Sequence, residues 1–361
     1  MSEIPSETTE APFVQTDFER ITTLVSTEFQ IEEALLEHNI PTYYLKQPQE
    51  TKHAFLRLLK KLEEMNFIAI LRRHDARIVL KIIPKPPTKP SNVLINWLLF
   101  FATIGTTFAA GYLLSVGLID PIIGGAMYAI AIMAVCGIHE MGHKLTANKE
   151  GIEATPPYFI PGPPPMLGGF GTFGAVILQK SLPPNKDMLF DIGSSGPILG
   201  FIVATIVTAV GMTMAIPAKT PSPGEYMILP TPLLSVLIGE LLLNFGMIPS
   251  ASSEQSLFMH PVEFAGWVGM VVTMLNLLPV AMLDGGHVAR SIAGEKTRTV
   301  LMVLSIVLLV LSGFWLMAVF VVFIGLQKHP GPLDDVSSLS TSRKLMAILL
   351  VAIFVLVFPL L

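Results

Sequence analysis

The feature that most constrains this chain is a series of long apolar segments beginning after Asn92. An α-helix needs about 20 predominantly apolar residues to cross the hydrocarbon core of a bilayer. Segments that approach or exceed this length are residues 97–118, 121–138, 192–216, 264–283, 300–326 and 345–361. The sequence therefore predicts a multi-span α-helical membrane protein with about six transmembrane helices. A shorter run, 233–245, contains Glu240 and is expected at the interface or partly embedded.

Composition supports the same class of protein. The 361 residues are 52% hydrophobic and 14% charged, whereas soluble domains are nearer a quarter charged. The net charge is −4 and no basic run is present, which argues against nucleic acid as a partner. A single cysteine excludes an intramolecular disulfide framework. The segment Met1 to Pro12 is polar and acidic, so no cleaved signal peptide is expected.

Most of the charge lies before the first apolar segment. Residues 50–65 carry apolar side chains at helical spacing, and 67–71 and 77–83 look like strands joined by a turn at His74-Asp75. These elements predict a small soluble α+β domain with a structural or regulatory role. A proline-rich linker follows at 84–90. We therefore expect two domains, a soluble α+β domain with its linker at 1–90 and a membrane domain at 91–361.

Basic residues indicate the orientation in the membrane, because Lys and Arg are enriched in cytoplasmic loops. They occur before the first span, after the second and after the fourth, as Lys81, Lys85, Lys89, Lys144, Lys149, Arg290, Lys296 and Arg298. This pattern places the N-terminus in the cytoplasm. Arg343 and Lys344 disagree, since six spans would put them outside.

A metal-binding motif stands at the end of the second span. His139 and His143 are at positions i and i+4, so on a helix both imidazoles share one face and can bind one metal ion. Glu140 lies beside them and is suited to take a proton from water on the metal. Ionisable residues at membrane depth are costly and usually functional. The bland alternative is a helix end that emerges among polar headgroups.

A second polar island supplies the best candidate for a third ligand. Asp284 interrupts an apolar segment in which Pro279, Gly285 and Gly286 can open the helix. An aspartate there would complete a His-His-Asp site and leave one position for water. Asn276 could donate a hydrogen bond to a substrate carbonyl. Alone, Asp284 would fit an interfacial turn without metal.

Together these motifs resemble the site-2 protease family of intramembrane zinc metalloproteases. The likeness rests on the HExxH at His139–His143 followed by the N-x-x-P-x-x-x-x-D-G at Asn276–Gly285, and it covers roughly residues 92–326. It implies His139, His143 and Asp284 as ligands of one zinc ion per chain, Glu140 as catalytic base and Asn276 as a substrate-positioning residue. It also implies a site within the membrane, nearer the cytoplasmic face.

Further short motifs resemble those of one branch of this family, which contains the plant ethylene-dependent gravitropism-deficient proteins and their prokaryotic relatives. They are 171–176, His260-Pro261, Gly266-Trp267 and 283–287. No PDZ insertion is evident. In the family, a strand-forming segment after the catalytic helix offers its backbone to an unwound substrate, and 156–177 fits that role. A connecting loop at the membrane surface is the alternative for this segment.

Several other residues near the motifs have structural explanations. Gly196-Pro197 and Gly200 permit close helix packing. Cys136 is expected to be a buried, inert thiol. His287 could lie beside the metal ligands without binding, and His260 should be far from the site.

The sequence thus predicts a zinc endopeptidase that hydrolyses peptide bonds in or near transmembrane segments, through zinc-bound water activated by Glu140. The alternative is a non-proteolytic membrane protein that binds metal, as a carrier or a chaperone-like relative. Expected partners are a transmembrane protein substrate and the lipid bilayer, and a homo-oligomer is allowed. The expected location is a prokaryotic cell membrane.

Overall fold

The computed structural model describes residues 15–87, 92–219, 228–252, 255–327 and 329–360. Predictions that concern Met1 to Pro12, Lys89 and the end of the linker lie outside these ranges. The chain divides into two compact units. The first comprises residues 1–88 with the short segments 183–186 and 332–338, and the second comprises 89–182, 187–331 and 339–361.

The first unit is a small α+β fold. Its elements are α1 (Gln15–Glu28), β1 (Ile31–Glu37), β2 (Ile40–Leu45), α2 (Lys52–Glu63), β3 (Phe67–His74) and β4 (Arg77–Pro84). The strands form an antiparallel sheet in the order β1-β2-β4-β3. The predicted helix and the two later strands are confirmed, and the small N-terminal α+β fold with them. Helix α1 and the β1–β2 hairpin were not foreseen.

Local sequence explains these elements. Phe55, Leu58 and Leu62 share the inner face of α2 and are fully buried. The β3–β4 turn is formed by Asp75 and Ala76, which both have positive φ, one residue later than expected. His38 and Asn39 make a similar left-handed turn between β1 and β2. Such two-residue turns match the twist of paired strands.

Two segments from later in the chain complete the first unit. Leu71 on β3 pairs in parallel with Asp334, and Asp334 also pairs with Asn185. Asp334 is fully buried, and its Oδ1 accepts hydrogen bonds from the backbone of Val336 and Ser337. Segments 183–186 and 332–338 therefore belong with residues assigned to the predicted soluble domain.

The second unit is mainly helical. Its helices are α3 (Val93–Ser115), α4 (Pro121–Lys149), α5 (Lys186–Thr213), α6 (Leu233–Asn244), α7 (Pro261–Leu277), α8 (Asp284–Ile292), α9 (Glu295–Leu311), α10 (Trp315–Gly325) and α11 (Thr341–Val357). Within the described ranges, the segments between the helices also form two-stranded sheets. These sheets pair β5 (Tyr158–Pro161) with β6 (Thr172–Val176), β7 (Ile216–Lys219) with β9 (Gln255–Phe258), and β8 (Thr231–Pro232) with β10 (Pro359–Leu360). A short 3-10 turn, Pro165–Leu167, lies between β5 and β6.

Among the described residues, three helices are long and apolar enough to cross a membrane, namely α3, α4 and α5. Asn92 and Asp120 cap the first two through side-chain oxygens that accept backbone N–H groups. Helices α6, α7 and α10 are apolar but shorter. By length and composition these helices fit the predicted helical membrane protein, whereas a count of six spans is not confirmed.

The expected span at 300–326 is not one continuous helix. Helix α9 ends at Leu311, and α10 begins at Trp315 and packs back against α9. Gly313 makes the break with a φ of 76°. Both arms are apolar, so hydropathy alone does not distinguish this hairpin from a single helix.

After α10 the chain returns to α8. Nδ1 of His287 lies 2.6 Å from Nε2 of His329, and Gly331 lies against the guanidinium of Arg290. Further on, the guanidinium of Arg343 at the start of α11 forms an ion pair with Asp191 of α5. Both ends of the α9–α10 hairpin therefore lie on the same side of the second unit.

Candidate metal centre

Helix α4 provides the first part of the site. It continues beyond the predicted span to Lys149, so His139, Glu140 and His143 lie within the helix. All three side chains are buried, with exposed fractions of 4%, 8% and 5%. One ligand atom from each lies within 4.8 Å of the others. The i, i+4 spacing therefore brings both imidazoles to one point, as expected for a helix.

The break between α7 and α8 brings Asp284 to the same point. Its Oδ2 lies 3.1 Å from Nε2 of His139 and 3.2 Å from Nε2 of His143. The two histidine Nε2 atoms are themselves 3.2 Å apart. Residues far apart along the chain thus form a nearly equilateral triangle of donor atoms.

The donor set fits one zinc ion. Tetrahedral zinc holds nitrogen and oxygen ligands at roughly 2.0–2.2 Å, which places neighbouring ligand atoms about 3.3–3.5 Å apart. The distances between the three atoms, 3.1 Å and 3.2 Å, are close to that spacing. Two imidazoles and one carboxylate also leave one coordination position open, as catalytic zinc sites require.

A hydrogen bond sets the orientation of one candidate ligand, His143. Nδ1 of His143 lies 2.7 Å from the backbone oxygen of Ile192 on α5. A carbonyl oxygen only accepts, so Nδ1 carries the proton and Nε2 turns its lone pair towards the other two atoms of the triangle. At the other histidine, Nδ2 of Asn276 lies 3.3 Å from Nε2 of His139. The predicted Asn276 therefore borders the triangle, at the end of α7.

The Glu140 carboxylate is held by backbone from the β5–β6 hairpin. The N–H of Ile177, which directly follows β6, donates to Oε2 of Glu140 across 3.0 Å. The sequence placed Ile177 in the strand-forming segment 156–177 but did not indicate that it would contact Glu140. The segment expected to form strands does form them, and its second strand ends beside the site.

Glycines on α5 make room for the histidines. A Cβ at Gly196 would lie 2.1 Å from Nε2 of His143, and one at Gly200 would lie 2.7 Å from Nδ1 of His139. Both distances are far below ordinary contact, so any side chain at Gly196 would displace the proposed ligand. The expected close packing at these glycines is present, and its target is the site itself.

Glycine also acts differently from expectation at the α7–α8 break. A Cβ at Gly285 would lie 2.2 Å from the backbone oxygen of Leu277. Helix α7 ends at Leu277, and the chain turns through Pro279 before α8 starts at Asp284. Gly285 thus allows α8 to begin against the end of α7, which keeps Asp284 close to Asn276.

Three other residues stay outside the triangle. His287 pairs with His329, as described above. His260 caps α7 by accepting a hydrogen bond from the N–H of Val262, at the opposite end of that helix from Asn276. Cys136 is buried in α4 as a free thiol. None of them is among the residues that converge on the three donor atoms.

A buried HExxH pair completed by a third protein donor is the arrangement of a zinc metallopeptidase site, and here it is set among apolar helices. A family model described as peptidase family M50 matches residues 127–319, which is more than half of the chain. The chain belongs to this family. The resemblance to site-2 proteases inferred from the two motifs is thereby confirmed.

Curated relatives are plant proteins of the branch already indicated by the sequence. The chain is 30% identical over 204 residues to the probable zinc metalloprotease EGY2 of Arabidopsis thaliana, covering 53% of the chain and 34% of the relative. It is 30% identical over 243 residues to the probable zinc metalloprotease EGY1 of Oryza sativa subsp. japonica, covering 64% and 40%. It is 26% identical over 270 residues to the probable zinc metalloprotease EGY1 of Arabidopsis thaliana, covering 65% of the chain and 47% of the relative.

These three relatives are described as chloroplastic. The chain spans between a third and a half of their length. No solved structure matches the chain.

Proposed function

We propose that the protein is an intramembrane zinc endopeptidase that cuts membrane proteins in or near their transmembrane segments. The observation that carries this proposal is the triangle of His139, His143 and Asp284 donor atoms, with Glu140 beside it. Membership in peptidase family M50 and the names of the relatives support hydrolysis of peptide bonds. In this proposal the three residues hold one zinc ion per chain.

The side chains around the ion have separate roles. Zinc bound there would supply a Lewis acid that polarises the substrate carbonyl and acidifies water. Glu140 takes a proton from the attacking water and returns it to the leaving amine. One of its two oxygens is bonded to the N–H of Ile177, and this bond fixes the carboxylate while the other oxygen serves as base. Asn276 donates its amide N–H to the substrate carbonyl.

The β5–β6 hairpin is proposed to hold the substrate. A scissile peptide bond must be extended to be cut, and strand addition to a sheet edge keeps it so. Three features support this assignment: β6 ends directly before Ile177, the two strands form a sheet of their own, and Phe173 on β6 is 70% exposed. An unwound substrate segment would run along β6 towards Glu140.

We also propose a revised topology with five crossings, made by α3, α4, α5, α7 and α11. The α9–α10 hairpin enters the membrane and returns, because the chain after α10 meets α8 again at His287. Arg343 and Lys344 then lie on the same side as Arg290, which removes their conflict with the positive-inside rule. Pairing of β8, before α6, with β10, after α11, agrees with both strands lying on the opposite side.

The same charge pattern supports an N-terminus in the cytoplasm and a site nearer the cytoplasmic face. The division into a soluble domain at 1–90 and a catalytic domain at 91–361 remains our proposal. A prokaryotic cell membrane also remains our proposal for the location. The relatives are described as chloroplastic and do not support it directly. The proposed partners are a transmembrane protein substrate and the bilayer.

The proposal is tested with purified protein in liposomes that contain a single-span substrate. We expect cleavage within or beside the substrate's transmembrane segment, identified by mass spectrometry of the products. A chelator should abolish cleavage, and added zinc should restore it. Zinc flux across the vesicle without any cleavage would instead identify a metal carrier and overturn the proposal.

A further inference from the structure

We propose that Asn96, Thr106 and Tyr128 are positioning residues that fix the register of the β5–β6 hairpin and so select the peptide bond that is cut. This inference rests on the proposed function. Each of the three is a polar side chain on an apolar helix, with Asn96 and Thr106 on α3 and Tyr128 on α4. Each donates a hydrogen bond to a backbone carbonyl of the segment that contains the hairpin.

Asn96 holds the start of the hairpin. Its Nδ2 donates to the backbone oxygens of Pro156 and Pro157, at 3.2 Å and 3.1 Å, immediately before β5 begins at Tyr158. Both partners are carbonyls, so the amide nitrogen must face them. Oδ1 of Asn96 is buried and has no hydrogen-bond partner among the described residues. Burying an oxygen without a partner costs free energy. This cost agrees with the view that Asn96 is present for the two hydrogen bonds that its Nδ2 donates.

Thr106 and Tyr128 hold the other end, where β6 begins. Oγ1 of Thr106 donates to the oxygen of Gly171 at 2.7 Å, and the hydroxyl of Tyr128 donates to the oxygen of Phe170 at 2.8 Å. Gly171 is packed so closely on α3 that a Cβ there would lie 2.8 Å from the backbone oxygen of Thr106. The chain is therefore attached immediately before each of its two strands.

These contacts also meet a requirement of the membrane. Thr106 lies in the middle of α3, and Tyr128 lies within α4 on the N-terminal side of His139, so Phe170 and Gly171 are at the depth of membrane-spanning segments. Non-helical backbone is tolerated at such depth only where protein groups satisfy its polar atoms. Without the two hydroxyls, the carbonyl of Phe170 would lose a partner and that of Gly171 would be left with its bond to Gly162.

Register matters because the strand leads directly to the base. The residue after β6 is Ile177, whose N–H binds Glu140. A slip of one residue moves a strand by about 3.3 Å and turns every side chain to the other face. A substrate paired with β6 would then offer a different peptide bond to the site. Fixing both strand starts on α3 and α4 prevents that slip.

The experiment compares cleavage sites in liposomes between the wild type and the double variant Thr106→Ala/Tyr128→Phe. We expect the single dominant product of the wild type to become a mixture cut at neighbouring bonds. We expect kcat/KM to fall roughly 10- to 100-fold, as for misplaced reacting groups. Asn96→Ala should act in the same direction. The single variant Thr106→Ser retains the hydroxyl, so it should give the same single dominant product as the wild type.

Thr103→Ala is the matched control, because Thr103 is a buried threonine on the same helix whose hydroxyl donates to Leu99 of α3 itself. It should leave the cleavage site unchanged. Hydrogen exchange of 158–177, measured on zinc-loaded protein, should rise in the double variant and needs no activity. A zinc-loaded double variant with unchanged exchange and an unchanged product would overturn the inference. An inactive wild type would instead contradict the proposed function.

Discussion

At the scale of single residues, the glycines of α5 determine how closely that helix approaches the two histidines. Gly196 and Gly200 lie against His143 and His139, and Ile192 on the same helix accepts the hydrogen bond of His143. One helix thus both orients an imidazole and leaves space for it. The sequence pointed to both histidines as candidate ligands, because HExxH has a fixed helical geometry. It could not show that α5 would be the helix packed on them.

This packing gives a direct prediction for Gly196→Ala. The new Cβ would lie 2.1 Å from Nε2 of His143, so the imidazole must leave the position that it holds in the triangle. We expect the purified variant to lose most of its bound zinc and its activity, measured by metal analysis and by substrate cleavage. Gly105→Ala is the control, since a Cβ at Gly105 on α3 has no heavy atom within 4 Å. A variant at Gly196 that keeps one zinc per chain would contradict the packing.

At the scale of elements, the path of the chain depends on where helices break and which strands pair, and helix propensity predicts neither. The α7–α8 break was expected from Pro279 and the glycines, because proline cannot continue a helix hydrogen-bond ladder. The α9–α10 hairpin was not expected, because both arms are apolar and only the three residues 312–314 separate them. The β1–β2 hairpin was missed because its signal is a left-handed turn at His38-Asn39 rather than a glycine.

Helices α1 and α2 of the first unit are joined by an ion pair with a predictable pH dependence. Oε1 of Glu28 accepts from Lys61 and Oε2 accepts from Arg57, each at 2.7 Å. The hydrogen bond from Lys61, together with that from Arg57, lowers the pKa of Glu28 below its usual value of 4.5. A lowered pKa stabilises the fold above pH 4.5, and this contribution is lost as pH falls through the folded-state pKa.

We therefore expect α1 and α2 to lose protection from hydrogen exchange, corrected for intrinsic rates, as pH falls below 4.5. Glu28→Gln should reduce protection near neutral pH and remove part of this pH dependence. Glu64→Gln, at an exposed carboxylate after α2, should behave as the wild type. Equal pH profiles for Glu28→Gln and the wild type would show that the pair contributes nothing.

At the scale of the whole molecule, the apolar segments identified the class of protein but not its path through the membrane. Hydropathy counts stretches of about 20 residues, and it treats a hairpin of two apolar arms as one long span. The disagreement of Arg343 and Lys344 with the other basic residues was a sequence sign against a path of six spans. Likewise, no local pattern showed that 183–186 and 332–338 belong to the first unit, because that depends on pairing distant in sequence.

The five-crossing topology predicts which residues face the same side. In a Cys136→Ser background, single cysteines at Ser342 and Lys149 should react with a membrane-impermeant maleimide from one face of sealed vesicles. A cysteine at Thr231 should react from the opposite face. All three residues are exposed. If the cysteine at Ser342 reacts together with the one at Thr231, then 300–326 crosses the membrane and six spans are correct.

The most direct test of the proposed site is the Glu140→Gln variant, assayed for zinc content and cleavage together. Glutamine keeps the size and one hydrogen-bonding oxygen of glutamate but cannot act as a base. The triangle of His139, His143 and Asp284 does not include Glu140, so we predict about one zinc per chain in the folded variant. We predict no detectable cleavage of a transmembrane substrate. Cleavage at the wild-type rate, or a folded protein without stoichiometric zinc, would contradict the account.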